Sequence, residues 1–218
     1  MKKLIYLISS AGLPYTFVFF YLVGITLFVV PPLKALFFYS IPFSLLLAFF
    51  ALLYTHKNRT SKFWLAFLLI PILGIVVEIV GVHTGLIFGT YTYHQSLGLK
   101  LADVPLLIGI NWMLLVYCSN AMMVKFSQNK SVIVLGASLL MVCYDLILEF
   151  AAPAMQMWSF DRPYPPLLNF VGWFITSLVF QIILVFLKVD TKNNFARILF
   201  LIQIVFLSLI VFADLIVG

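Results

Sequence analysis

Residues 63–82 read FWLAFLLIPILGIVVEIVGV, an apolar run with a single charged side chain, Glu78. A helix that crosses a membrane needs about 20 consecutive, mostly apolar residues. Six further runs meet this criterion, so the sequence predicts an all-α fold, a polytopic transmembrane bundle of seven helices in one domain, 1–218. The predicted spans are 13–30, 33–54, 63–82, 104–124, 131–150, 169–187 and 198–217.

The composition excludes an ordinary water-soluble domain. Hydrophobic residues make up 64% of the 218 residues and charged residues only 9%, whereas soluble domains average about 25% charged residues. We therefore expect membrane lipid to surround most of the chain, in a multi-pass protein of the cell membrane (the inner membrane in a bacterium).

The distribution of basic residues predicts an orientation, because lysine and arginine favour the cytoplasmic ends of short loops. Seven spans place the N-terminus on the same face as ten of the 13 basic residues, which are Lys2, Lys3, Lys57, Arg59, Lys62, Lys125, Lys130, Lys188, Lys192 and Arg197. The opposite face holds only Lys34, Lys100 and Arg162. We predict a cytoplasmic N-terminus, and the net charge of +6 gives no reason to expect a nucleic-acid partner.

The acidic residues have the opposite distribution. Asp190 alone lies in a predicted cytoplasmic loop, and the others belong to outer loops or outer halves of helices, namely Glu78, Asp103, Asp145, Glu149, Asp161 and Asp214. Acids carry little topological information, so insertion does not explain this asymmetry. Ionisable residues within a span usually face the bundle interior and serve function, although Asp214 could simply extend into water at the outer surface.

Glu78 lies on a helical face with small residues. Gly74, Glu78, Gly81 and Gly85 follow at spacings of four, three and four, which places them on one side of a helix. Glycines let another helix or a flat ligand approach closely. The pattern is compatible with two interpretations. In one, the glycines form a helix-packing surface and Glu78 hydrogen-bonds a neighbouring helix. In the other, Glu78 is catalytic or faces a ligand.

Two further acids share a face of the fifth span. Asp145 and Glu149 are four residues apart, and two carboxyls so close repel when both are ionised, which favours one retained proton. A general acid needs such a proton. The alternative is a Glu149 in the headgroup zone that pairs with Arg162.

Polar and aromatic residues concentrate near the same side of the membrane. The sixth span opens with Asn169, Gly172, Trp173 and Thr176 on one face. Two long outer loops, 83–103 and 151–168, carry His83, Tyr91, Tyr93, His94, Trp158 and Phe160. Aromatic residues at this depth form interfacial belts, but loops of this length are more often functional.

Several function classes lack their motifs. Three histidines are too few for a membrane di-iron site, and there is no H-E-x-x-H pair, Walker motif or dinucleotide-binding glycine motif. The last span has no lysine for a retinal Schiff base. We therefore predict no metal and no cofactor, which leaves cofactor-free chemistry on a hydrophobic substrate, transport or a structural role.

Four stretches in a fixed order carry a family resemblance: EIVGVHTGLIFGTYTY (78–93), LGLKLADVPLLIGINW (97–112), DLILEFAAPAMQMWSF (145–160) and PLLNFVGW (166–173). Together they resemble the signature blocks of the integral-membrane carotenoid biosynthesis family, which includes carotenoid 1,2-hydratases. The resemblance implies that an acyclic (ψ) carotenoid and water are the partners, and that water adds to the terminal C=C bond to give a tertiary alcohol.

The resemblance implies roles for the candidate residues in that reaction. We expect Asp145 to donate the proton and Glu78 to hold or activate water, with Glu149 completing the acid pair and the roles open to exchange. Candidates for lining the end-group pocket are Trp112, Trp158, Trp173, Tyr91 and Tyr93. Asn169 and His94 are candidates to bond the water, and the polyene is expected along the glycine face that includes Gly81.

Three other classes remain open on the sequence. A carotenoid carrier or assembly factor of the same fold would bind pigment without changing it. A cyclase or isomerase would begin with the same alkene protonation. A transporter usually shows repeated halves and interrupted helices. The placement of the acids toward one side of the membrane does not favour this class.

Overall fold

A computed structural model describes residues 12–217. Within this part of the chain there are seven α-helices: α1 (Leu13–Val29), α2 (Lys34–Thr55), α3 (Ser61–Thr84), α4 (Leu107–Phe126), α5 (Lys130–Ala154), α6 (Leu167–Phe186) and α7 (Asn194–Val217). Helices α2 to α7 are long and apolar enough to cross a membrane, and α1 has 17 residues. The fold is the predicted all-α, multi-pass transmembrane bundle.

The helix bounds differ from the predicted spans in two informative places. Helix α4 begins at Leu107 because Val104–Pro105 (β3) instead pairs with Lys100–Leu101 (β2) in a short antiparallel ribbon. Helix α5 continues to Ala154, beyond the predicted end at 150. At the turn between α1 and α2, which lies at the same end of the bundle as these two places, the predicted bounds are close, since Pro31 and Pro32 follow Val30 and cannot continue the α1 hydrogen bonds.

Basic residues lie at one end of the bundle. The loops 56–60, 127–129 and 187–193, with the helix turns beside them, carry eight of the ten lysines and arginines assigned to the cytoplasmic face. Lys2, Lys3 and the N-terminus itself lie outside the described residues, so the cytoplasmic orientation stays a prediction.

Helix α4 occupies the centre of the bundle. Every residue from 111 to 121 is buried, because α3, α5 and α7 pack around it. The outer helices bury one side only and expose leucine, isoleucine, valine and phenylalanine on the other. In a membrane, those exposed sides face lipid.

The two long loops opposite the basic end are joined by a second ribbon. Strand β1 (Tyr91–Tyr93) pairs antiparallel with β4 (Trp158–Phe160), so that Tyr91 lies opposite Phe160 and Tyr93 opposite Trp158. Because strand side chains alternate between faces, Tyr91 and Tyr93 are buried while Thr92 is exposed. The β1–β4 ribbon closes one end of the bundle and directs two tyrosines into it.

Candidate active site

Three of the six acids on this side of the bundle are buried together in its interior. Glu78 on α3 is 3% exposed, and Asp145 and Glu149 on α5 are 0% and 5% exposed. Asp103 and Asp161 are exposed, and Asp214 is half-buried. A buried carboxyl requires hydrogen-bond partners, and the partners define the site.

Glu78 is surrounded by donors. Its Oε2 accepts hydrogen bonds from the Tyr91 hydroxyl at 2.5 Å and from the Tyr93 hydroxyl at 2.8 Å. Its Oε1 accepts one from the Trp112 indole at 2.9 Å. Glu78 therefore does bond a neighbouring helix, α4, as one of the two interpretations of its glycine face predicted. Two of its three donors, however, come from β1.

The two tyrosines are fixed as donors. Burial, reinforced by the adjacent Glu78 carboxylate, raises the pKa of Tyr91 and of Tyr93 well above the value of a free phenol. Both phenols consequently keep their protons across the physiological pH range, and both continue to donate to Glu78.

Asp145 and Glu149 are joined through one amide. The Asn169 side chain on α6 donates to Asp145 Oδ2 at 2.9 Å and to Glu149 Oε1 at 3.0 Å. The Trp158 indole donates to Glu149 Oε2 at 3.0 Å. Glu149 is thus bonded within the bundle, and Arg162, its alternative partner, lies exposed at the surface.

Asp145 keeps one oxygen without a donor. Within the described residues, Asp145 Oδ1 is buried and has no hydrogen-bond partner, although the Asp145 and Glu149 carboxyls lie close enough to hydrogen-bond each other when one is protonated. A buried acceptor left unpaired is costly. One proton held between the two acids would satisfy it.

A small cavity lies between the acids. It has a volume of about 10 Å³ and is lined by Glu78, Glu149 and Asn169 together with Phe88, Tyr91, Tyr93, Ile108, Trp158, Phe160 and Trp173. A water molecule needs about 10–15 Å³ of such space and two to four polar partners. The cavity has the size and polar lining for one water, and Asp145 lies behind it, beyond Asn169 and Glu149.

Aromatic rings form most of the cavity wall. The Tyr93 and Trp158 rings meet edge to face at 5.7 Å, and the Tyr91 and Phe160 rings are 5.6 Å apart. Trp173 stacks on Trp112 with ring centroids 4.3 Å apart. Trp158 and Trp173 therefore face the cavity directly, while Trp112 supports Trp173 and bonds Glu78 from behind.

The glycine face of α3 is filled by the protein itself. A methyl group built on Gly74 would lie 2.9 Å from Trp112, and one on Gly81 would lie 2.8 Å from Phe88. Gly85 ends the helix in a left-handed conformation with φ of 67°. These glycines make room for aromatic side chains, so the expected path for a polyene along this face is already occupied.

An apolar groove runs nearby, between α3 and α6. Its volume is about 380 Å³ and it is lined by Val77, Leu86, Ile87, Leu168, Val171, Gly172, Ile175, Thr176, Val179 and Phe180. Gly172 brings the two sides together, because a methyl group there would collide with the Ile87 carbonyl and lie 2.9 Å from Phe88. The buried Phe88 ring thus lies between the groove and the cavity.

A polar depression also borders the cavity, at the bundle surface. It has a volume of about 380 Å³ and is lined by Gly89, Thr90, Phe160, Asp161, Arg162, Pro166 and Leu168. Phe160 lines both this depression and the cavity. Its ring is therefore the barrier between the acids and surface water.

The structure separates the sequence candidates into three groups. Glu78, Glu149, Tyr91, Tyr93, Trp158, Trp173 and Asn169 line the cavity. Asp145 and Trp112 bond to its lining residues, and Gly81 packs behind Phe88. His94 is elsewhere, because its Nε2 bonds the Ser159 hydroxyl at 2.9 Å and joins the two ribbon strands.

Three lining residues, Phe88, Ile108 and Phe160, were not among the site residues predicted from the sequence, although Phe160 was noted among the loop aromatics. Phe88 lies in an irregular segment that has no periodicity, and Ile108 is one of many aliphatic residues in its span. The only available signal for Phe88 and Ile108 was their position inside the quoted stretches 78–93 and 97–112.

Within residues 12–217, the structure describes no group of three or more His, Cys, Asp or Glu side chains placed to hold a metal ion.

The chain matches the family described as carotenoid biosynthesis protein over residues 38–217. The chain belongs to this family. The resemblance drawn from the four quoted stretches is confirmed, and all four supply residues to the cavity.

One curated relative is the bisanhydrobacterioruberin hydratase of Haloarcula japonica. It is 29% identical to this family member over 111 residues, which are 47% of this chain and 38% of that protein. The aligned part thus spans well under half of the relative's length. No solved structure matches the chain.

Proposed function

We propose that this carotenoid biosynthesis family member is a hydratase that adds water across the terminal C=C bond of an acyclic carotenoid end group. The observation that carries the proposal is the shared cavity of Glu78 and Glu149, which places two acids beside a space for one water. Family membership supports the carotenoid, and the name of the relative supports hydration.

The first step is protonation of the alkene. Glu149 gives its proton to C2 of the terminal isoprene unit, so that the C1=C2 π bond breaks, a C–H bond forms and Glu149 becomes a carboxylate. The positive charge falls on C1, which carries two methyl groups. The indole faces of Trp158 and Trp173 stabilise this cation, by about 0.5–2 kcal/mol for each well-placed ring.

The second step is capture by water. The water oxygen bonds to C1, its proton passes to Glu78, and the product is a tertiary alcohol. The proton then returns from Glu78 to Glu149 across the cavity that both line, which restores the enzyme. The net change is the addition of one H₂O, without an oxidant or reductant.

Asp145 and Asn169 act as positioning residues. The Asn169 amide holds Asp145 and Glu149 side by side, and the proton shared by the two acids is the one that Glu149 delivers. Asp145, which the sequence favoured as the donor, lies behind the cavity and keeps that proton available. Glu149 is the donor because it is the member of the pair that lines the cavity.

The substrate reaches the acids from the bilayer. We place the polyene in the apolar groove between α3 and α6, where lipid-facing side chains already line a channel of about 380 Å³. The cavity itself is too small for an isoprenoid end group, so Phe88 must move aside for the end group to enter. Water arrives from the polar depression behind Phe160.

The test is pigment analysis in a bacterium that accumulates an acyclic carotenoid and expresses the full chain. Hydration adds the mass of one water, whereas a cyclase or isomerase leaves the mass unchanged and a carrier leaves the pigment unchanged. Glu149→Gln and Glu78→Gln should abolish the product, and Asp103→Asn, an exposed acid outside the cavity and the polar depression, is the matched control. Unchanged pigment with a well-expressed wild-type chain would refute the proposal.

A further inference from the structure

A second apolar groove lies between α1 and α7, two helices that carry none of the three buried acids. Its volume is about 280 Å³ and its lining is almost wholly hydrocarbon, from Val18, Tyr21, Leu22, Ile25, Ile198, Leu201, Ile202, Val205, Phe206 and Leu209. Leu22, Leu201 and Val205 are each half or more exposed. In a membrane, this groove opens to the lipid chains.

A basic pocket continues from one end of this groove. It has a volume of about 470 Å³ and is lined by Pro14, Tyr15, Thr55, Lys57, Lys192, Asn193, Asn194, Phe195, Arg197 and Ile198. Ile198 lines both spaces, so the pocket and the groove meet there. The two spaces are therefore adjacent along α7, a charged head beside an apolar tail, and together are called the depression.

Three cations from three segments converge on the head of the depression. Lys57 follows α2, Lys192 lies in the loop before α7, and Arg197 belongs to the first turn of α7. No acidic side chain is among the described residues that line the pocket. The nearest acid in the sequence, Asp190, accepts bonds from the Asn58 amide at 2.9 Å and from the Lys192 N–H at 3.2 Å, so its carboxylate is engaged within the loops.

We propose that this depression binds an anionic glycerophospholipid, with the phosphate headgroup among Lys57, Lys192 and Arg197 and one acyl chain along the α1–α7 groove. Basic residues beside a membrane span attract anionic headgroups, and the apolar continuation matches a hydrocarbon chain. Inorganic phosphate would use only the pocket, and a neutral polyene only the groove. An amphiphile with a negative head uses both.

The site lies at the basic end of the bundle, opposite the acid cavity, and does not depend on the proposed reaction. The ligand would bind to the full chain whether or not hydration occurs. Its effect is to hold α1, which is the shortest helix and packs mainly on α7, against the rest of the bundle.

Native mass spectrometry of the purified full chain tests the proposal. Phosphatidylglycerol and phosphatidylcholine with identical acyl chains are titrated in the same detergent, and we expect phosphatidylglycerol to bind at least about tenfold more tightly. K192Q/R197Q should remove this preference, and the single variant Lys57→Gln should weaken it in a chain whose α7 is untouched. Lys130→Gln, at the same end of the bundle but outside the pocket, should retain it.

The tail is tested separately. Val205→Trp fills the groove and should weaken phosphatidylglycerol binding, whereas Leu139→Trp, on the exposed side of α5, should not. Equal binding of the two lipids, or full preference in K192Q/R197Q, would overturn the proposal. Competition by inorganic phosphate as effective as the lipid, with no effect of Val205→Trp, would overturn it in favour of a phosphate-only site.

Discussion

Glu78 on α3 and Glu149 on α5 line the same buried cavity, although the central helix α4 intervenes between them in the chain. Each acid has its own set of donors, two phenols and an indole for Glu78 and an indole and an amide for Glu149. Two carboxyls on one small cavity can exchange a proton through a single intermediate molecule.

Glu149→Gln should lower the hydration rate by about 10²–10⁴-fold, the usual contribution of a positioned general acid. Glutamine keeps the size and the bond from Trp158 but has no acidic proton. The measurement is product formed per milligram of purified protein with an acyclic carotenoid. Asp103→Asn removes an exposed carboxyl and should behave as wild type, and equal loss in both variants would argue against a specific role.

Tyr91→Phe and Tyr93→Phe should each lower the rate about ten- to a hundredfold, because each removes one hydrogen bond to a charged acceptor, worth about 1.5–3 kcal/mol. The double variant should lose less than the product of the two effects, since both phenols donate to the same oxygen. Tyr164→Phe, an exposed tyrosine, is the control. Full activity in the double variant would show that Glu78 has no role in the reaction.

Asn169→Leu should lower the free energy of unfolding by about 1–3 kcal/mol, because it leaves oxygens of Asp145 and Glu149 buried without a donor. The measurement is thermal or denaturant unfolding in detergent. Asn111→Leu is the matched control, since the Asn111 amide nitrogen is buried and has no partner among the described residues. A greater loss of stability in Asn111→Leu than in Asn169→Leu would contradict the assigned network.

Ile175→Trp should lower turnover of a carotenoid roughly five- to tenfold by filling the α3–α6 groove, without altering the melting temperature. Leu135→Trp, on the exposed side of α5 and outside the groove, should leave turnover intact. Equal rates in the two variants would exclude the groove as the path of the polyene.

The bundle could be predicted from the sequence because length and hydropathy act locally. The bounds of each of the seven helices were predicted to within a few residues. The clearest error arose where backbone pairing between two strands overrode the local hydropathy. Val104 and Pro105 are apolar and were assigned to a span, but their backbone pairs with Lys100 and Leu101. Hydropathy alone does not indicate that these two residues form a strand.

The site could be predicted only in part. Helical spacing placed Asp145 and Glu149 on one face, yet it carried no information about which of them meets the cavity. Spacing also identified the glycine face of α3, but Trp112 and Phe88, which fill it, come from distant or irregular segments. The β1–β4 ribbon, which brings Tyr91 and Tyr93 to Glu78, depends on pairing between two loops and has no local signature.

The α6 face illustrates the same limit. Asn169, Gly172, Trp173 and Thr176 appeared as one polar-aromatic surface. In the structure, Asn169 and Trp173 line the cavity whereas Gly172 and Thr176 line the groove. A single helical stripe therefore serves two neighbouring spaces, and only packing against Ile87 and Phe88 separates them.

The most direct measurement is incorporation of labelled oxygen. The purified full chain and its Glu149→Gln variant are incubated with an acyclic carotenoid in water enriched in heavy oxygen, and the product is analysed by mass. We predict one labelled oxygen per hydrated end group with the wild-type chain and none above background with Glu149→Gln. Label incorporation at the wild-type rate by the variant, or none by the wild type, would contradict acid-catalysed hydration at this cavity.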